Sequence, residues 1–110
     1  MTVSTSEKIA FGYYVDGQVS AVVGTHTHVQ TADEKILPGG SAFITDVGMT
    51  GPAHSVIGIE IDQIIQRFLT NIPMRFETAK GEAVFSAVVV EINEETGKAT
   101  AIQRLQLSYP

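Results

Sequence analysis

The sequence predicts a mixed α/β (α+β) fold for residues 1–110, with a mixed sheet, an antiparallel C-terminal hairpin and two main helices. Three observations lead to this prediction: a helix-capping motif near the start, a middle segment with helical spacing of apolar residues, and two β-rich runs at the end. With 110 residues, 44% of them hydrophobic and 17% charged, the chain is long enough for a single domain with one core.

Local signals predict the first two elements. Ser4 and Glu7 have the spacing of a capping box, in which two side chains satisfy free backbone amides at the start of a helix. We expect a helix over residues 5–16 that stops at Gly17. The apolar and β-branched residues 20–24 then predict a short buried strand.

The middle of the chain alternates loops with short strands. Residues 25–31 are polar and rich in histidine, which indicates a loop. Residues 36–37 and 42–45 flank the turn-forming residues 38–41 and predict a hairpin. Residues 46–58 contain several glycines and a proline and predict a long loop, a feature that is more often functional than idle.

The second half of the chain contains the clearest helix signal and three predicted strands. The helix is expected to end near Asn71, and its apolar face comprises Ile61, Ile64, Ile65, Phe68 and Leu69. Residues 75–78 predict a short strand. Residues 84–92 and 99–107 predict two longer strands, joined by a loop in which Gly97 can take a positive φ.

Charge and composition exclude several classes of function. A formal net charge of -5 disfavours binding to nucleic-acid backbones, so no nucleic-acid partner is expected. The absence of cysteine excludes disulfides and thiolate metal sites. No apolar run approaches the ~20 residues of a membrane helix. No leader is visible at the start, so we expect a cytoplasmic protein without a membrane partner.

His26 and His28 form a His-x-His pattern directly after the first predicted strand. Imidazole binds Zn, Mn and Fe, and a strand-to-loop exit is where protein scaffolds often present ligands. The same pattern also fits two polar loop residues, and the spacing leaves both interpretations open. Two neutral imidazoles are not a complete binuclear site, because bridging carboxylates are needed to hold two cations ~3.5–4 Å apart.

Several motifs, taken in order, carry a resemblance to one family. They are GTHTHVQTAD at residues 24–33, ITDVGMTGP at 44–52, SVIG at 55–58, RFLT at 67–70 and TGKA at 96–99. With these motifs the chain resembles the YmdB-type bacterial phosphodiesterases of the calcineurin-like metallophosphoesterase superfamily. The resemblance covers essentially the whole chain from Thr5 onward.

The resemblance implies a fold, a cofactor and a reaction. The chain is expected to be the C-terminal half of an αββα metallophosphoesterase sandwich. The family binds two divalent transition-metal ions, and iron, manganese and zinc all suit imidazole. His26 and His28 match the last metal-binding motif, each serving a different ion. The implied reaction is hydrolysis of small phosphodiesters, including cyclic nucleotides, by metal-activated water.

The resemblance also implies that part of the site is missing. Family members are more than twice as long, and their N-terminal half supplies the acidic and asparagine ligands and the histidine that acts as general acid. A further histidine ligand of the family falls at Met1. We therefore assign no catalytic residue. Asp46 is expected to lie behind the ligands and orient a histidine or the glycine loop, and His54 is expected to be an ordinary loop residue.

Three functional hypotheses remain. The first is a phosphodiesterase fragment that is inactive unless an N-terminal half completes it in trans. The second is a structural or oligomerisation module whose histidines hold no metal. The third is a metal site formed between chains by His26 and His28 of two copies. Because loss of the other half should uncover a strand edge and an apolar face, we expect a homo-oligomer.

Overall fold

The computed structural model describes residues 4–110, which form two helices and six strands and confirm the predicted α/β (α+β) class. Met1, where the family histidine was expected, lies outside the described residues. In chain order the elements are α1 (Thr5–Val15), β1 (Ala21–Val23), β2 (Lys35–Ile36), β3 (Ala42–Ile44), β4 (Gly51–Pro52), α2 (Ile61–Thr70), β5 (Ala83–Ile92) and β6 (Ala99–Tyr109).

Helix α1 begins and ends at the predicted signals. The Ser4 hydroxyl accepts the backbone N–H of Glu7 at 3.3 Å and donates to the Glu7 carboxylate at 3.0 Å. These two bonds fix the first turn, where backbone amides have no partner within the helix. The helix ends at Val15, and Gly17 follows with φ 86°, a conformation that glycine adopts without strain.

The first sheet has the order β1-β3-β2 and carries most of the core. Its central strand β3 is fully buried, runs parallel to β1 and pairs antiparallel with β2, which confirms the predicted hairpin. The Asp16 carboxylate accepts the backbone N–H groups of Gly39 at 2.5 Å and Ser41 at 3.0 Å. These bonds tie the end of α1 to the β2–β3 turn. Gly12 of α1 lies directly against Phe43 of β3.

The second sheet has the order β4-β5-β6 and is entirely antiparallel. Strands β5 and β6 form the predicted C-terminal hairpin, with register from Ala83 opposite Tyr109 to Ile92 opposite Ala99. Gly97 in the connecting loop has φ 75°, as expected. The mixed sheet is therefore the first one, and the hairpin belongs to a separate sheet.

The strand predicted at residues 75–78 is wrong. In this segment only Thr78 makes a bridge, and its partner is Ile59 in the turn before α2. A β-strand forms a series of backbone hydrogen bonds with a neighbouring strand, and a two-residue turn is too short to act as that neighbour. The β-branched and aromatic residues that gave the signal are exposed instead.

The described chain is open in shape. Its Cα radius of gyration is 17.2 Å, whereas about 13 Å is usual for a compact domain of this length. Only a few apolar side chains of the described residues are buried, and they lie around β3: Leu37, Ala42, Phe43, Ile44 and Ala99. No helix within residues 4–110 is long and apolar enough to cross a membrane.

Two surfaces of the described chain are largely uncovered. Strand β1 lies at the edge of its sheet and pairs only with β3 among the described strands. Most of the apolar face of α2 is exposed, with Phe68 81% and Leu69 74% exposed, whereas Ile64 is half-buried. Beside Ile64, the Gln63 side chain accepts the backbone N–H of Glu77 at 2.7 Å.

Gly12→Ala tests the packing of α1 on β3. Helix propensity alone favours alanine by about 1 kcal/mol. A Cβ at residue 12 would lie 2.7 Å from the ring of the buried Phe43, so the ring or the helix would have to shift. We therefore expect urea unfolding to show a net loss of about 1–3 kcal/mol. Gly51→Ala is the control, because its Cβ would meet only the terminal methyl of Met49, and an equal or greater loss there would contradict the argument.

Candidate functional site

The backbone after β1 continues alongside β3 and delivers the histidine loop to the edge of the sheet. Gly24 donates its N–H to the Ile44 carbonyl at 3.0 Å, and its own carbonyl accepts the N–H of Val47 at 2.9 Å. The approach is close enough to require glycine, since a Cβ on Gly24 would overlap the Thr45 carbonyl oxygen. The loop therefore leaves the sheet where the two parallel strands end, a position that often carries ligand sites in α/β proteins.

Both predicted ligands lie in this loop and are exposed. His26 has φ 129° and His28 has φ 69°, values in the positive range that non-glycine residues rarely adopt. Such residues persist only where neighbouring contacts impose the conformation, and they are frequent at functional sites. The contacts that hold this loop therefore decide where the two imidazoles lie.

Asp46 supplies the main contact of the loop. Its carboxylate is fully buried and accepts both the backbone N–H and the hydroxyl of Thr27, each at 2.7 Å. The other oxygen accepts the N–H of Gly48 at 2.8 Å, and the Lys8 ammonium lies 3.8 Å from Oδ2. Asp46 thus fixes the residue between the two histidines and also the glycine loop. Its action behind a bound metal stays a prediction.

The surroundings of Asp46 favour its ionised form. Burial alone raises the pKa of a carboxyl, because it removes the charge from water. Hydrogen bonds from Thr27 and Gly48, together with the charge of Lys8, outweigh burial and hold the pKa of Asp46 below its ordinary value of 3.8. The carboxylate therefore stays negative and acts only as an acceptor at neutral pH.

A second, half-buried network lies behind Asp46, and its hydrogen bonds could not be predicted from the sequence. The Thr31 hydroxyl accepts the N–H of Asp46 at 3.0 Å and donates to the Asp33 carboxylate at 2.7 Å. Asp33 also accepts the N–H of Thr45 at 3.1 Å and its hydroxyl. Burial opposes ionisation of Asp33, but the bonds from Thr45 and Thr31 keep its pKa low. The only sequence signal was the Thr-x-Asp spacing after the histidine loop.

Two long side chains anchor the ends of the histidine loop. The Lys8 ammonium of α1 donates to the carbonyl of Thr25, just before His26, at 2.7 Å. After His28, the Gln30 amide lies within hydrogen-bonding distance of three carbonyls, those of Val47 at 3.1 Å, Ala87 at 3.1 Å and Leu105 at 3.3 Å. The loop is therefore tied to the first helix, to the segment that follows β3 and to the second sheet. The sequence showed neither anchor, because their partners lie far along the chain.

The donors present fit part of a metal site. Within the described residues, no group of three or more His, Asp or Glu side chains is close enough together to hold an ion. The Asp46 carboxylate faces inward, and His54 is an exposed loop residue, as expected. The chain thus offers two exposed imidazoles on a held loop, and any further ligands must come from elsewhere.

Comparison with known proteins gives consistent matches along nearly the whole chain. A family model described as YmdB-like protein matches residues 2–105. A 2',3'-cyclic-nucleotide 2'-phosphodiesterase of Bacillus subtilis (strain 168) is 55% identical over 105 residues, which is 96% of this chain and 40% of the relative. The chain therefore spans about two fifths of the length of this relative.

Two solved structures share the fold. A hypothetical protein from Thermus thermophilus superposes with a TM-score of 0.89 at 45% identity, over 98% of this chain and 42% of that one. A novel phosphatase from Mycoplasma pneumoniae gives a TM-score of 0.89 at 42% identity, over 96% of this chain and 38% of that one. The two helices and two sheets therefore keep in this chain the arrangement that they have within much longer proteins.

Asp46→Asn tests the central contact of the loop. An amide cannot replace both acceptor oxygens, so we expect the free energy of unfolding at neutral pH to fall by about 1–3 kcal/mol. Because the folded-state pKa of Asp46 is lowered, its contribution is present above the unfolded value of ~3.9 and is lost as the pH falls through the folded value. Thermal melts should therefore show a weaker decline below about pH 4 in the variant than in the wild type.

Glu94→Gln is the matched control for this experiment, since it removes an exposed carboxylate in the β5–β6 loop. Its melting profile should follow that of the wild type. If Asp46→Asn declined with acid as steeply as the wild type, the buried carboxylate would not be the group that links the loop to pH.

Proposed function

The chain belongs to the YmdB-like protein family, and on that premise we propose that it supplies the two-histidine part of a metal-dependent phosphodiesterase site. The proposed substrates are small phosphodiesters of the cyclic-nucleotide type, the class named for the Bacillus subtilis relative. Since the chain spans only about two fifths of that relative, the activity requires a further polypeptide that completes the site.

One observation carries this proposal. His26 and His28 are exposed in backbone conformations that cost energy, and the buried Asp46 network holds them there. A loop that served only as a connection would gain nothing from such strain. The same loop lacks a third ligand within the described residues, which accords with an incomplete site.

The side chains have separate tasks in the proposed site. His26 and His28 would each hold one of two cations, which are iron, manganese or zinc. When bound, such a cation neutralises phosphate oxygens and lowers the pKa of water. Thr27 and Asp46 keep the two imidazoles in position, and Lys8 fixes the approach to His26. A local cation is needed because the net charge of -5 repels an anionic substrate.

The completing polypeptide has a suitable surface on which to dock. An apolar cleft of about 550 Å³ lies between α1 and the open side of β1, with Phe11, Val22 and Val23 among its lining residues. Phe11 is 56% exposed, and among residues 4–110 no strand pairs with the outer edge of β1. We propose that an N-terminal half in trans pairs with this edge and fills the cleft, and so brings its own ligands to the histidine loop.

A second function is favoured by the outer face of α2. Ile61, Ile65, Phe68 and Leu69 are all exposed on this helix. A contiguous apolar face of this kind usually marks an interface. The chain would then be an oligomerisation module, either with histidines that bind no metal or with a metal site that two copies share.

Metal-dependent hydrolysis of an aryl phosphodiester tests the first function. The chain with manganese or iron should give no turnover by itself. Addition of the remaining three fifths of the Bacillus subtilis relative should restore turnover. His28→Ala should lower the restored rate by more than the ~10–100-fold typical of losing an outer-shell contact. His54→Ala, in an exposed loop outside the site, should leave it unchanged.

Either of two results would count against this function. Turnover by the chain alone that is lost in His28→Ala would mean that copies of this chain build the site together. Restored turnover that is unaffected by His28→Ala would mean that the completing half carries the catalysis without these histidines.

Light scattering of the purified chain tests the second function. We expect self-association at high concentration, which the double substitution Phe68→Gln and Leu69→Gln should abolish because it removes the two most exposed apolar side chains of α2. Tyr109→Gln, at the far end of β6, should leave the mass unchanged. A monomeric wild type would exclude the oligomerisation module, and one ion for every two chains would single out the shared site.

A further inference from the structure

A second cleft lies beside His28, between the histidine loop and the second sheet. Its volume is about 360 Å³, and its lining includes His28, Met49, Pro52, Ile57, Ser86 and Gln106. Sites for small organic ligands usually have volumes of ~300–1,000 Å³. Because His28 forms part of the wall, a ligand in this cleft would adjoin any group bound at that histidine.

Ile57 occupies an unfavourable backbone conformation at the rim of this cleft. Ile57 has φ 44° and Gly58 has φ 98°, and the flanking residues Val56 and Ile59 exchange backbone hydrogen bonds of 2.9 and 3.0 Å. Two positive φ values between such a pair define a type I′ turn, which strongly prefers asparagine followed by glycine. A β-branched residue at the first position is a genuine conformational outlier.

Burial does not explain the choice of isoleucine at this position. The side chain of Ile57 is 51% exposed, so packing against the protein offsets little of the conformational cost. The turn is held firmly by other groups: the Ser55 hydroxyl donates to the Pro52 carbonyl at 2.8 Å and accepts the N–H of Gly58 at 2.9 Å. The turn therefore presents an apolar side chain to the cleft in a fixed position, a pattern typical of a binding site.

The cleft combines an apolar wall with a polar pair. Met49, Pro52 and Ile57 supply the apolar surface. Ser86 and Gln106 lie opposite each other on β5 and β6 and supply the polar surface of the cleft. A glutamine amide both donates and accepts hydrogen bonds, which suits a ring whose edge carries donors and acceptors. A flat heterocycle with apolar faces and a polar edge matches both surfaces, whereas a lipid chain would leave the polar pair without partners.

We propose that this cleft is a nucleobase subsite, in which Ile57 packs against the base and Gln106 hydrogen-bonds its edge. The inference rests on the proposed phosphodiesterase function, since it places the base of a nucleotide beside the histidine that serves the phosphate. Ile57 is a specificity-determining residue in this arrangement. Its strain is retained because asparagine, the better turn residue, would remove the apolar contact.

A titration of the metal-free chain followed by ¹H–¹⁵N NMR tests the subsite. We expect adenosine 3′-monophosphate to shift the amide signals of Ile57, Gly58, Ser86 and Gln106, and ribose 5-phosphate and inorganic phosphate to leave them unchanged. Ile57→Asn should weaken binding about tenfold, because an apolar contact is lost. The same variant should raise Tm by about 4–8 °C, because the turn strain is relieved. Ile72→Asn, another exposed isoleucine outside the cleft, should leave binding unchanged.

The opposite signs of the two effects make the test decisive. Equal binding of adenosine 3′-monophosphate and inorganic phosphate, or wild-type affinity in Ile57→Asn, would overturn the subsite. A Tm that stays the same or falls in Ile57→Asn would also overturn it, since the isoleucine would then serve the loop itself. The titration uses neither metal nor a completing half, so its result is independent of the hydrolysis assay described above. Base binding here with no turnover in the completed assay would refute only the proposed function, and turnover in that assay with no base binding here would refute only the subsite.

Discussion

The Asp46 carboxylate is the interaction on which the candidate site depends. A fully buried charge is costly, and here its acceptor oxygens are satisfied by Thr27, Gly48 and the nearby Lys8. These partners come from α1, from the histidine loop and from the glycine loop. One buried group therefore fixes three segments relative to β3. The strained conformations of His26 and His28 are stable because this network would lose several charge-assisted hydrogen bonds if the loop relaxed.

Sequence reasoning succeeded wherever a signal acts within a few residues. The Ser4 cap, the end of α1 before Gly17, the hairpin turn at Gly97 and the extent of α2 all depend on short-range chemistry, and the structure confirms them. The strand expected at residues 75–78 failed because strand formation requires a neighbour, which the sequence does not specify. The Gln30 contacts and the hydrogen bonds of Asp33 could not be predicted either, because they join residues that are distant in the chain.

The apolar pattern of α2 illustrates a different limit. Its spacing correctly identifies a helix with one apolar face, yet most of that face is exposed in the described chain. An amphipathic pattern predicts that the apolar face of a helix packs against another surface, but it does not identify the polypeptide that provides this surface. The large radius of gyration and the open edge of β1 indicate the same condition. The chain keeps the local architecture of its longer relatives, with TM-scores of 0.89, although its own core is thin.

The amide of Gln30 has a mechanical consequence for the whole molecule. Several contacts join the C-terminal hairpin to the rest of the chain: Gln30 contacts the Leu105 carbonyl, Arg104 pairs with Glu34 at 2.7 Å, and the Ala99 N–H donates to the Gly40 carbonyl at 2.8 Å. Ala99 and Leu105 are six residues apart on β6, a distance of about 20 Å. Attachment at both ends of this span keeps the hairpin from pivoting about Ala99. Without Gln30, the Leu105 end would depend on the partly exposed Arg104–Glu34 pair, and the distance between the histidine loop and the opposite wall of the smaller cleft would be held less tightly.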